Sequence, residues 1–247
     1  MRIRRALTAA FALVAIAASV TTAIAVVPGR ATALTVPAAD GGSDAKASMT
    51  SFLTAVLADT DTYWTRVLEA NGYEVPTVTY SWLAAGERIR SACGGGVVTA
   101  DDAAFYCSAD DTIVIGEPFA WDVYEGRLSS WPSGDTPGGR LGDMAVAYVV
   151  AHEMAHNIQH EIGLFDGRSA TKNLELHADC LAGAWAGDAN RRGILDDGDL
   201  DEARVTAWLV GDYAFDNPGH HGTPEQRAEA FLDGYESLRS CRTWLTA

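Results

Sequence analysis

Residues 147–161, AYVVAHEMAHNIQHE, place His152, Glu153 and His156 in the order H-E-x-x-H directly behind an apolar run. On an α-helix, positions i and i+4 share a face, so both imidazoles can point at one centre. Zinc accepts imidazole nitrogens, and a catalytic zinc site keeps one of its four positions for water. Glu153, beside the first histidine, is placed to take a proton from that water. The competing reading is an amphipathic helix with two surface histidines. Against it, all six histidines lie between residues 152 and 221, and the first 151 residues have none.

The third ligand sets the subclass. A metzincin-type site carries a further histidine six positions after His156, where this chain has Ile162, so that class is excluded. A gluzincin-type site takes its third ligand from a glutamate on a following helix, often as E-x-x-x-D. The stretch ELHAD supplies it: Glu175 lies 19 positions past His156, and Asp179 stands one turn later on the same face. Glu175 is the expected third ligand, and Asp179 the expected partner that orients a ligand histidine by a hydrogen bond. Two competitors are weaker. His160 continues the i, i+4 row but falls near the helix end, and His177 lies on a different face from Glu175, as a packing or surface residue.

Hydrolysis also requires a group that stabilises an oxyanion. The stretch NPGHHGTPEQR offers His220 and His221 in a Gly-rich loop feeding a helix N-terminus, with His221 the candidate and His220 its alternative. The acidic run DDGDLDE lacks the glycine and the terminal bidentate acid of an EF-hand loop. It reads as a helix cap.

The chain around these motifs reads as mostly helical with a small sheet. Phe52, Val56, Leu57, Trp64, Val67 and Leu68 recur at helical spacing from Ser48 onward. YEVPTVTYSWL reads as a strand, and Thr112–Ile115 as another, an edge that could align an extended peptide. The motif helix is expected to be capped by Asp143 and closed by Gly163. A second helix runs through SATKNLELHADCLAGAWAGDANRRG. A third opens on Asp199 and Glu202 as D-x-x-E, and a last one on the capping box Thr223, Pro224, Gln226.

Compartment and partners follow from the ends and the charge. MRIRR ahead of an uncharged Ala- and Val-rich stretch has the layout of an export signal, with small-x-small sites at Ala23–Ala25 and Ala31–Ala33. An uncleaved membrane anchor is the alternative. Both readings put the remainder outside the cytoplasm, secreted or attached to the envelope. Residues 1–33 carry four arginines and no acid, so their removal takes the net charge from −15 to −19. That charge argues against nucleic-acid and anionic-membrane binding, which need clustered Lys and Arg. Residues 34–47 read as a flexible linker and 48–247 as one domain. The four cysteines, Cys93, Cys107, Cys180 and Cys241, suggest two disulfides with three possible pairings. Cys93 and Cys107 flank a short loop, and Cys180 with Cys241 would tie the C-terminal tail to the body.

Taken together, VLADTDTYW, SACG, AFYCSAD, YVVAHEMAHNIQ, LELHADCLAGAWAGD, GDLDEA and HGTPEQRAEAF occur in an order similar to that of the neutral zinc metallopeptidase family of bacteria, over residues 50–245. The resemblance implies a zincin-like, α+β, predominantly helical domain with one catalytic Zn2+ on His152, His156 and Glu175. It implies Glu153 as general base, a supporting role for Asp179, and importance for the His221 loop. Family members usually carry Gly where Ala155 stands and Gln where His177 stands. The expectation is an exported zinc-dependent peptidase acting on peptide or protein substrates. The alternative is a zinc-bound envelope module without turnover, which has no need of Glu153.

Overall fold

The computed structural model describes residues 43–93, 96–98, 103–128, 131–165, 167 and 169–246. The proposed export signal and most of the proposed linker lie outside them. Helix α1 (Ser43–Ala70) begins five residues ahead of the apolar spacing that marks it in the sequence. Two sheets follow, built from β1 (Thr79–Leu83), β2 (Ile89–Ser91), β3 (Gly96–Val98), β4 (Ala104–Cys107) and β5 (Thr112–Gly116). The helices α2 (Glu117–Glu125), α3 (Asp143–Glu161), α4 (Thr171–Arg191), α5 (Asp199–Leu209) and α6 (Pro224–Glu236) complete the fold, with a 3₁₀ segment at Leu238–Thr246. The chain is α+β and predominantly helical. Among the described residues no helix is long and apolar enough to cross a membrane.

Helix α3 is the centre of the molecule. Met144 to Ala155 are all buried, as are Asn157, Ile158 and Gln159, because α1, α4, α5 and β4 pack around it. A helix apolar on every side belongs in a core, so the few polar groups on α3 that stay accessible mark where the core opens. Apart from Asp143, His160 and Glu161 at its ends, the one such residue is His156, a turn beyond the buried His152.

The ends of α3 differ from one another. Gly163 has φ +78°, and Leu164 and Gly163 donate to the carbonyls of Gln159 and His160, the two bonds of a Schellman motif. At the other end Asp143 does not cap the helix, contrary to expectation. The helix starts at Asp143, so the N-cap is Gly142, which has no side chain to cap with, and Glu202 of α5 reaches across so that Met144 N–H donates to its Oε2 at 3.1 Å. Gly142 permits this, since a Cβ there would sit 2.2 Å from the Glu202 carboxyl. Glu202 is thereby spent on α3 and does not close a cap on its own helix. Asp199 instead accepts from the Asp196 amide, and α5 starts from Gly198 with no side-chain cap. The Thr223–Gln226 capping box of α6 forms as expected.

Strand β5 is central, not an edge. It pairs in parallel with β1 and antiparallel with β4, in the order β1-β5-β4. The edge on the α3 side is β4. Its register puts Phe105 and Cys107 opposite Val114 and Thr112, and the Gly116 amide donates to Ala103. That parity turns the main-chain groups of Ala104 and Tyr106 away from β5.

Helices α4 and α6 touch backbone to backbone. A Cβ on Gly183 or Gly187 of α4 would stand 2.0 Å from the Phe231 oxygen or 2.3 Å from that of Tyr235, and one on Gly234 of α6 would meet the Cys180 oxygen at 1.8 Å. These three glycines set the helix spacing. Disulfides join Cys93 to Cys107 and Cys180 to Cys241, the second fastening the 3₁₀ segment to α4. Of the three possible pairings this one is formed, and two disulfides suit an oxidising compartment.

Candidate metal centre

His152 and His156 stand about one turn apart on α3, and α4 crosses so that Glu175 faces both. His152 Nε2 lies 3.2 Å from Glu175 Oε2, and His156 Nε2 lies 3.4 Å from Glu175 Oε1. The three candidate donor atoms fall within 4.8 Å of one another. The remaining ring nitrogens are engaged behind them. Asp179 lies one turn along α4, and His152 Nδ1–H donates to its Oδ1 at 2.9 Å. His156 Nδ1–H donates to Gln159 Oε1 at 2.8 Å. With Nδ1 carrying the proton in both rings, each Nε2 lone pair points at the shared centre.

The electrostatics favour positive charge at that point. Burial works against protonating His152, yet the Asp179 and Glu175 carboxylates raise its pKa to about 10. Burial likewise opposes the charged form of Glu175, but the His156 and His152 rings hold its carboxyl well below the usual range. Two neutral-capable imidazoles and a carboxylate around a centre that attracts a cation form a His2Glu donor set, which fits zinc with one position left for water.

Behind His156 a relay runs to α4. Gln159 Nε2 donates to the Leu174 carbonyl at 2.7 Å and to His177 Nδ1 at 3.0 Å. His177 is buried on this relay; it is not a surface residue. Burial, with the nearby His156, lowers its pKa to about 4, so the ring is a neutral acceptor. His160 points elsewhere. Its Nδ1 donates to the Tyr106 hydroxyl at 2.8 Å, and that hydroxyl donates to Asp111 Oδ1 at 2.9 Å. With Asn157 donating to Asp111 Oδ1 and the Thr77 carbonyl, this network ties α3 to the sheet.

Behind His152 a buried cluster gathers around Asp179. Tyr148 donates its hydroxyl to Oδ1 at 2.5 Å, and Arg227 of α6 grips both oxygens, Nε to Oδ2 at 2.7 Å and Nη2 to Oδ1 at 2.9 Å. Arg227 is 4% exposed, placed there by the close α4–α6 contact.

A cleft of about 390 Å³ opens over the centre. Its walls are β4 at Ala104–Tyr106, the apolar groups of Phe119, Pro132, Val149 and Val210, and His221 on the far side. Glu153 lines it while only 8% exposed. Burial raises its pKa, and the neighbouring His152 and the Tyr106 backbone N–H act in the opposite sense. His221 is half exposed, its ring Nδ1 3.2 Å from Asp212 Oδ2 and its backbone N–H donating to the same oxygen at 3.0 Å. His220 turns inward to Asp212 Oδ1 at 2.6 Å and does not line this cleft. Although burial opposes its ionisation, these donors hold the Asp212 carboxyl well below the usual range.

Several of these partners were not singled out from the sequence: Gln159, Asp212, Tyr148 and Arg227. Gln159 stands at i+3 from His156, and Arg227 interrupts the stripe Pro224, Ala228, Phe231 with a charge on the buried face. Both positions are signals a sequence can carry. Asp212 has none, since its role depends on the path of the loop.

Residues 6–244 match the family described as "Putative neutral zinc metallopeptidase". The chain belongs to this family. It is similar to the uncharacterized protein YpfJ of Escherichia coli K12, 31% identical over 211 residues, covering 75% of this chain and 67% of that protein. It is similar too to the uncharacterized protein Rv2575 of Mycobacterium tuberculosis H37Rv, at 30% over 172 residues, 58% of this chain and 55% of its relative. No solved structure matches the chain.

Proposed function

We propose that this member of the zinc metallopeptidase family is an exported peptidase, with His152, His156 and Glu175 holding one zinc ion. The observation that carries the reading is the convergence of two Nε2 atoms and a carboxylate beneath a cleft that also holds Glu153. When bound there, zinc would supply Lewis-acid polarisation of the scissile carbonyl and the attacking water. Glu153, buried between the ligand histidines and the Tyr106 amide, takes the water's proton and delivers it to the leaving amine. His221, held at the cleft wall by Asp212, is the hydrogen-bond donor to the developing oxyanion. The substrate lies extended along the outward groups of β4, in place of the β5 edge expected from the sequence. Apolar cleft walls favour an apolar side chain beside the cleaved bond.

The Arg-led, Ala-rich start of the chain and the two disulfides support export. The test is digestion of a peptide library by zinc-loaded wild type and Glu153→Gln, read by mass spectrometry. Wild type should cut and the variant, with its zinc retained, should lose at least about 10²-fold in rate. Equal cleavage by both would remove Glu153 from the mechanism, and absence of cleavage by wild type would favour a binding module.

A further inference from the structure

Arg227 lies outside every role assigned so far, yet it touches more of the centre than any other residue not read as a ligand. Its Nη2 is 2.9 Å from Asp179 Oδ1, 3.5 Å from both ring nitrogens of His152, 3.4 Å from the Tyr148 hydroxyl and 3.6 Å from Glu175 Oε2. Nε closes the fork on Asp179 Oδ2 at 2.7 Å, and Nη1 is tied to the Val210 carbonyl at 3.3 Å. The guanidinium is therefore fixed on three sides before it acts on anything.

We propose that Arg227 is a positioning residue for the metal centre: its two-pronged grip holds the Asp179 carboxylate in one plane, and Asp179 in turn holds the His152 ring with Nε2 aimed at the ion. The inference rests on the zinc reading of the site but not on peptidase activity. Asp179 Oδ1 already accepts from Tyr148, His152 and Arg227. Without the fork, a carboxylate can rotate about its Cβ–Cγ bond and follow any one of its remaining donors, and the His152 ring would follow it. A planar guanidinium resists that rotation because it engages both oxygens at once, whereas an ammonium engages one point. The cation also offsets the Asp179 charge and lies close enough to Glu175 Oε2 to favour its ionised form. The placement has a structural source. Arg227 sits one turn into α6, whose start is fixed by the Thr223 capping box and whose depth is fixed by Gly183, Gly187 and Gly234.

The test measures zinc affinity by chelator competition and the visible spectrum of the cobalt-substituted protein, on folded samples, with melting temperature recorded separately. Arg227→Lys keeps the charge and loses the fork. It should bind zinc about 10–100-fold more weakly, the range for partners that orient metal ligands, and shift or weaken the cobalt bands. A merely structural role would lower the melting temperature and leave both metal readouts as in wild type, which would overturn the proposal. Asp179→Asn and the pair Asp179→Asn/Arg227→Gln complete the test and stay informative should Arg227→Lys not fold, since the pair leaves no unmatched buried charge. If Arg227 acts through Asp179, the pair binds zinc as Asp179→Asn alone does. A further tenfold loss in the pair would mean that Arg227 acts independently and would also overturn the proposal. Wild type that binds zinc but cleaves no peptide would sink the peptidase reading and leave this one intact; wild type that binds no zinc would sink both.

Discussion

Gly183→Ala links the fold to the centre in one substitution. The added Cβ would lie 2.0 Å from the Phe231 oxygen and 2.9 Å from both the Phe231 carbonyl carbon and the Tyr235 nitrogen. These are backbone atoms and cannot swing aside, so α6 must retreat by about 1.5 Å to restore ordinary contact. Phe231 is one helical turn from Arg227, so the retreat carries the guanidinium with it. Bonds of 2.7 and 2.9 Å to Asp179 then lengthen toward 3.5 Å or more, where a hydrogen bond is largely lost. Overpacking of this kind costs about 1–3 kcal/mol, which in a chain of this size lowers the melting temperature by roughly 2–10 °C. The assay is thermal unfolding with zinc affinity measured on the same samples, and Gly138→Ala as control. Gly138 is exposed, and a Cβ there meets nothing within 4 Å, so the control should melt within about 1 °C of wild type. A melting temperature unchanged in Gly183→Ala would refute the backbone contact. A lowered one with wild-type zinc affinity would refute its transmission to Asp179.

Two further outcomes follow from the site. His221→Ala should keep zinc and lower kcat by about 10²–10³-fold, as expected for loss of an oxyanion donor; an unchanged kcat at equal zinc content would remove it from that role. His177→Gln tests the relay behind His156. The folded pKa of about 4 lies below the unfolded value near 6.5, so His177 contributes stability that is complete above about pH 6.5 and lost as pH falls toward 4, at most about 3 kcal/mol. Glutamine still offers an oxygen to Gln159 and does not titrate. Urea unfolding at pH 7 and at pH 4 should therefore show a smaller loss for the variant than for wild type, and parallel losses would refute the assignment.

How much of this was legible depends on whether a residue's role is local. His152, Glu153, His156, Glu175 and Asp179 were legible because helical periodicity alone brings them onto two faces, and the Thr223 box because it is complete within four residues. Asp143 and Asp199 failed as caps for a tertiary reason. Glu202 crosses from α5 to serve α3, and nothing in either local sequence marks that exchange. The central place of β5 was hidden for a similar reason, since pairing order depends on where the short β4 returns. His177 read as a packing or a surface residue, and the structure makes it the former, buried with its Nδ1 on Gln159 of the neighbouring helix. Arg227 carried a signal in the apolar stripe it interrupts, but its partner Asp179 stands 48 positions away, and Asp212 became visible only once its loop placed it beside His221.

X-ray absorption on the zinc-loaded protein, with metal content determined on the same sample, tests the central claim most directly. The account predicts one zinc per chain, bound by two imidazole nitrogens at about 2.0–2.1 Å and by oxygen ligands at about 2.0–2.2 Å, with no sulfur. Loss of one imidazole from that shell in His156→Ala should follow. A protein that takes up no zinc, or a shell that keeps both imidazoles in His156→Ala, would contradict it.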